Sequence, residues 1–185
     1  MRMTNTELCR IAKHIAEDLP TLFVMGGYGA RLSDPMKDFF IRRYPFNALP
    51  ERNEAIRAAD PSTHAFDCVC FLKGILWGFD GRADHPSGGT EYLSNDVPDY
   101  SADRLFQECY SRSDCFLELV PGEMLWLKDH CGIYLSDGLA VECTPRWKGG
   151  VQITALQHPR RGYMTRRWSM HGFLPYVDYT DSEFR

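Results

Sequence analysis

Met124-Leu125-Trp126-Leu127, Cys131-Gly132-Ile133-Tyr134-Leu135, Leu139-Ala140-Val141-Glu142-Cys143 and Val151-Gln152-Ile153-Thr154-Ala155-Leu156 are short apolar-rich runs in close succession. Each has the length of a strand and is bounded by Gly, Asp or Lys-Gly-Gly turn chemistry. Ser136-Asp137-Gly138 joins the second run to the third, and an Asp-Gly pair supplies the positive φ angles of a tight hairpin. The set reads as an antiparallel meander. A further strand is expected near Arg167 to Met170, with His171-Gly172-Phe173-Leu174-Pro175-Tyr176 packing behind it.

Ahead of Pro121-Gly122 the apolar period is that of helices. Thr6 to Leu19 carries Leu8, Ile11, Ile15 and Leu19 on one stripe, with Thr4 or Thr6 as cap and Pro20 beyond its end. Asp34 to Arg43 and Pro50 to Ala59 follow, separated by Tyr44-Pro45. Asp67 to Leu76 is apolar on most sides and predicts a buried helix. Ser101-Ala102-Asp103 opens another, through Tyr110. Between them, Leu22-Phe23-Val24-Met25 is a short apolar run stopped by Gly26-Gly27-Tyr28-Gly29. Gly78 to Tyr100 is polar and rich in Gly and Pro, the signature of a long functional or mobile loop. Helices first and strands after predict an α+β fold, its N-terminal helices packed on a central antiparallel β-sheet.

The chain has 185 residues, close to one domain at about 150 residues each, so 1–185 is expected to fold as a single unit. Its formal net charge of −4 argues against general nucleic-acid or anionic-membrane binding. No apolar run approaches the roughly 20 residues that span a bilayer. Met1 to Arg10 lacks a secretory h-region, so the protein is expected to be made without a signal peptide and to be cytoplasmic until released or delivered. The seven cysteines are then expected to be free, and mostly buried. From Cys143 to Val177 there is no acidic residue, while Arg146, Lys148, Arg160, Arg161, Arg166 and Arg167 are all basic. That stretch is either a solvated face or a patch for substrate carboxylates.

Cys68 carries the chemical reading. It stands in the first turn of the buried helix, where the helix dipole and unpaired N–H groups favour a thiolate and early alkylation. His130 begins a strand and can act as its general base, and Glu142, on the next strand, is in register to orient the imidazole. Each residue alone also reads as structural: a buried thiol, a strand-end histidine, the polar half of a β alternation. Zinc held by Cys68, Cys70, His130 and Cys131 fits poorly. Cys-x-Cys on a helix points two ways, and adjacent strand residues face opposite sides.

Taken in order, Phe66-Asp67-Cys68-Val69, Pro121-Gly122-Glu123-Met124, Asp129-His130-Cys131-Gly132-Ile133-Tyr134, Asp137-Gly138 and Glu142-Cys143-Thr144-Pro145 resemble the NlpC superfamily of papain-like cell-wall cysteine peptidases. The family pattern is Asp-Cys-Ser-Gly, Gly-Asp-Leu, Gly-His-Val-Gly-Ile-Tyr, then a polar residue on the following strand. Phe23-Val24-Met25-Gly26-Gly27 is similar to the family's Tyr-Val-x-Gly-Gly. Thr144 to Thr154 resembles members from phages and mobile elements, which is the setting of an endolysin. The likeness runs from about Leu22 to Tyr179.

The resemblance implies a papain-like fold with Cys68 as nucleophile, His130 as base and Glu142 as the residue that orients it. It implies a thiol hydrolase that cuts the peptide stem of peptidoglycan, an endopeptidase acting between D-glutamate and a diamino acid, with no cofactor and no metal. The alternatives are an N-acetylmuramoyl-L-alanine amidase and a non-catalytic wall-binding module on the same fold. Asp67 stands where the family holds the substrate, often by its free amine. Glu142 replaces the more usual His, Asn or Gln, Val69-Cys70 replaces Ser-Gly, and Phe23 replaces a tyrosine whose hydroxyl Tyr28 is the candidate to supply. Arg146 and Lys148, just past the Glu142 strand, are the candidates to meet stem carboxylates. The resemblance leaves the oligomeric state open.

Overall fold

The computed structural model describes residues 2–82 and 84–179. Strand β1 (Met3–Thr4) runs straight into α1 (Asn5–Asp18), where the Thr4 hydroxyl accepts from the Glu7 N–H at 3.2 Å. The cap is therefore Thr4, and Leu8, Ile11, Ala12 and Ile15 form the buried stripe. Then come β2 (Thr21–Phe23), β3 (Tyr28–Arg31), α2 (Asp34–Arg43), α3 (Pro50–Ala58) and β4 (His64–Phe66). Strands β2, β4 and β3 make a small sheet, β2 parallel and β3 antiparallel to β4. β3 and β4 escape a reading of periodicity because they are short; β4 is buried at every position and so shows no alternation. Gly27 lies against this sheet, where a Cβ would stand 2.7 Å from the Ala65 backbone.

Helix α4 (Cys68–Leu76) follows, with every residue from Val69 to Leu76 buried. The segment after it is pinned rather than loose. Phe79 is fully buried, Trp77 Nε1 donates to the Val97 carbonyl at 2.9 Å, and the Thr90 hydroxyl donates to the Tyr28 carbonyl at 3.0 Å. α5 (Ala102–Glu108) is shorter than expected, because Tyr110 opens a strand, β5 (Tyr110–Ser113).

The meander is β6 (Met124–Leu127), β7 (His130–Ser136), β8 (Leu139–Cys143) and β9 (Val151–Leu156). The strand expected at Arg167 to Met170 is instead two, β10 (Thr165–Arg166) and β11 (Met170–Phe173). They part at Trp168, which turns inward while the Gln157 side chain takes both its backbone groups at 2.9 Å, replacing a ladder partner. The large sheet has the order β10-β9-β8-β7-β6-β11-β5 and is antiparallel except at its β9–β10 edge. Strand β12 (Val177–Asp178) closes back on β1 in parallel.

The two faces of the large sheet do different work. Cys131, Ile133, Val141, Cys143 and Val151 meet α1 and α4 in the main core. Leu125, Ala140, Leu156 and Trp168 form a smaller cluster with the opposite face. Among the described residues the architecture is α+β, five α-helices with a large mixed sheet. No helix among the described residues is long and apolar enough to cross a membrane.

Candidate active site

Asp67 starts α4 by capping it. One carboxylate oxygen accepts from the Cys70 N–H at 2.7 Å and the other from the Gly26 N–H at 2.8 Å. The cap places Cys68 at the first helical position, half-buried, its Sγ 3.8 Å from the carbonyl oxygen of Asp129. The residue after Asp129 is His130. The Cys68 thiol thus lies against the start of β7, the strand that His130 opens.

The expected depression of the Cys68 pKa is overturned. Burial pushes the thiol up to about 12, the Asp67 charge adds to the rise, and the N–H groups of Val69, Cys131 and Cys68 itself oppose it only in part. The helix terminus favours a thiolate, but the carboxylate that caps it and the loss of water outweigh that help. Cys115, not Cys68, is the exposed cysteine, so early alkylation is expected there.

His130 and Glu142 do meet. Gly132 is opposite Glu142 in the β7–β8 ladder, so His130, two residues earlier, is its diagonal neighbour on one face. The imidazole Nε2 lies 2.7 Å from Glu142 Oε2. A carboxylate only accepts, so Nε2 carries the proton and Nδ1 of the neutral ring is left as the base. Nδ1 has no hydrogen-bond partner among the described residues.

The same face continues across β9 and β10. The Thr154 hydroxyl donates to Glu142 Oε1 at 2.9 Å. Arg166 brings Nε to both carboxylate oxygens, at 3.1 and 3.0 Å, and Nη2 to Oε2 at 2.7 Å. Its guanidinium also lies 4.7 Å from the centre of the Trp147 ring. Burial alone would raise the Glu142 pKa, but the hydrogen bonds from His130 and Arg166 more than offset it and hold the carboxyl below its ordinary range. Trp168 stacks on His130, ring centres 5.4 Å apart and planes 6° from parallel. Gly132 makes room for it: a Cβ there would stand 2.8 Å from the indole.

No protein-family model matches this chain, and no curated protein does.

Beside the α4 N-terminus lies a cavity of about 870 Å³. Asp67 and Val69, which flank Cys68, are in its wall, as are Tyr28, Tyr44, Tyr92 and Tyr100. Asp67 and Tyr28 therefore share one cavity. The Gly78 to Tyr100 segment supplies part of its wall through Pro86, Ser87, Tyr92 and Asp99. Arg146 and Lys148 are not brought in; both are exposed on the turn after β8 and line no part of this cavity. Nor are Cys68, Cys70, His130 and Cys131 gathered as ligands, since among the described residues no three His, Cys, Asp or Glu side chains are placed to hold a metal ion.

Thr154 and Trp168 carry no sequence signal for the site, and Arg166, expected as a solvated charge or a substrate contact, instead holds Glu142. The one available signal for Arg166 was the lack of any acid from Cys143 to Val177, with Glu142 at its border as the nearest counter-charge.

Proposed function

We propose that this chain is a papain-like thiol hydrolase of the NlpC kind that cleaves an amide bond in the peptide stem of peptidoglycan, between D-glutamate and a diamino acid. The observation that carries the reading is Cys68 at a helix N-terminus against the strand start that bears His130, with His130 held by Glu142 at 2.7 Å. The ordered motifs shared with the family supply the substrate.

Because the resting thiol is protonated, attack and proton transfer have to be coupled. His130 Nδ1 takes the Sγ proton as sulfur bonds to the amide carbon. The oxyanion that forms is met by the Cys68 N–H at the start of α4, where the helix dipole favours negative charge. The imidazolium, stabilised by Glu142, gives its proton to the leaving amine, and the C–N bond breaks. Water, deprotonated by His130, then opens the thioester and restores the thiol.

Digestion of purified cell wall followed by mass analysis of the fragments tests this. The expected products carry a new free amine on the diamino acid, and Cys68→Ala releases none. A free lactyl carboxylate on the muramic acid would make the chain an amidase, and an undigested wall would remove catalysis.

A further inference from the structure

The cavity beside α4 holds four ionisable side chains of formal charge, and three of them are accounted for. Lys73 is buried between the Asp99 carboxylate and the Tyr100 carbonyl, which accepts at 2.8 Å. Asp99 also accepts from the Tyr92 hydroxyl at 2.7 Å. Asp67 is taken up by two backbone N–H groups. Arg31 is different. Its side chain has no hydrogen bond and no acidic partner among the described residues, and its Nε is buried with nothing to donate to.

A guanidinium in that condition is costly. It has given up water at Nε without gaining an acceptor, and an orphaned buried donor costs more than an ordinary hydrogen bond returns. The position is fixed by backbone: Arg31 is paired with His64 across the small sheet, and its N–H donates to the Pro86 carbonyl at 3.1 Å. Ala30, Met36, Phe39 and Pro61 in the same cavity wall are apolar and cannot neutralise the charge. The cavity wall thus includes both the residues that flank Cys68 and an unpaired cation.

We propose that Arg31 is the anchor for a carboxylate on the acyl side of the scissile bond, so that the site selects stems whose glutamate α-carboxyl is free over stems in which it is amidated. This rests on the peptidase reading above and adds the chemotype to it. The planar fork of arginine matches a carboxylate at two points, whereas a carboxamide offers one acceptor oxygen and turns an N–H₂ donor toward the other N–H.

Binding to the Cys68→Ala chain, measured by calorimetry, separates this from catalysis. The probes are the dipeptide L-alanyl-γ-D-glutamate and the same dipeptide with its α-carboxyl as the amide. The free acid is expected to bind at least about 10-fold more tightly, the range of one charge-assisted hydrogen-bonding pair. Arg31→Met should abolish that preference while leaving the amide's affinity unchanged, and Arg31→Lys should restore part of it. Equal binding of the two probes, loss of both in Arg31→Met, or no binding of either would overturn the proposal. A wall left undigested by the unmutated protein, with the acid preference intact, would remove the peptidase reading and leave the carboxylate site standing.

Discussion

Arg166 grips Glu142 at both carboxylate oxygens, and the same carboxylate receives His130. The histidine is therefore oriented by an anion that is itself held, 24 residues later in the chain, by a cation whose side chain is almost buried. This keeps the buried Glu142 carboxyl below its ordinary range. A buried glutamate without Arg166 would gain a proton and lose its ability to stabilise an imidazolium.

Replacing Arg166 is expected to act on stability and on the pH profile together. Arg166→Met leaves a buried charge short of its partner, at a cost of about 3–5 kcal/mol in urea denaturation. Glu142 has a lowered folded-state pKa, so its pairing adds stability above the ordinary carboxylate range that is lost as pH falls through the lowered value. Without Arg166 that loss, and the acid limb of kcat/KM, should move to higher pH. Arg166→Lys keeps the charge without the fork and should fall between. An acid limb that stays in place would show that Arg166 does not act through Glu142.

Glu142→Gln is not a mild change here. Oε2 accepts from His130 and Arg166, and Oε1 from Thr154 and Arg166, so an amide nitrogen at either position meets a donor. A loss in kcat of up to about 10⁴-fold is expected, the scale seen when a His-orienting carboxylate becomes an amide. Stopped assays on a soluble stem peptide measure it, and a rate within a few-fold of the unmutated protein would remove Glu142 from the site.

The thiol should respond to its neighbour's charge. Asp67→Asn keeps an N-cap acceptor of equal quality while removing the negative charge beside Cys68. That charge raises the thiol pKa, so the pKa drops from about 12 toward the ordinary cysteine value. The rate of iodoacetamide labelling at Cys68 against pH, resolved by peptide mapping from the exposed Cys115, reads the shift. An unchanged profile would assign the whole elevation to burial.

Gly132→Ala tests the stack on His130. The new methyl meets Trp168 and the Val141 carbonyl at under 3 Å, so the indole must move. Overpacking of this size costs about 1–3 kcal/mol. The expected signature is a lower kcat with little change in KM, since the imidazole loses its support while the cavity is untouched. A fall in KM-dependent binding alone would show that the stack has no part in placing the ring.

A second histidine–carboxylate pair serves as contrast. His171 sits between Glu123 and the Cys115 carbonyl, which accepts from Nε2 at 3.0 Å, and Glu123 in turn accepts from the Val120 N–H at 2.7 Å. The ring is thus engaged at both nitrogens, and the buried Glu123 carboxyl is held by the ring and by the Val120 N–H. His171→Ala is expected to cost about 3–5 kcal/mol by stranding the buried Glu123, with kcat per folded molecule unchanged. His171→Leu combined with Glu123→Met should recover much of the loss, and a fall in kcat would tie this pair to the reaction.

The features legible in the sequence are local. The strands from Met124 to Leu156 follow from short apolar runs and turn chemistry, the buried α4 from its apolar run, and the His130–Glu142 relation from two-residue periodicity across one hairpin. Each depends on residues close in the chain, where side-chain direction is set by the element alone. Tertiary structure decided the rest. Arg166 reaches Glu142 through a parallel edge strand that no periodicity announces, and Trp168 reaches His130 because Gly132 leaves a gap. Arg31 became conspicuous only through the partners it lacks. The Cys68 thiol went the other way from its helix-terminus expectation, because a pKa sums burial and every nearby charge, and burial is a property of the packed whole.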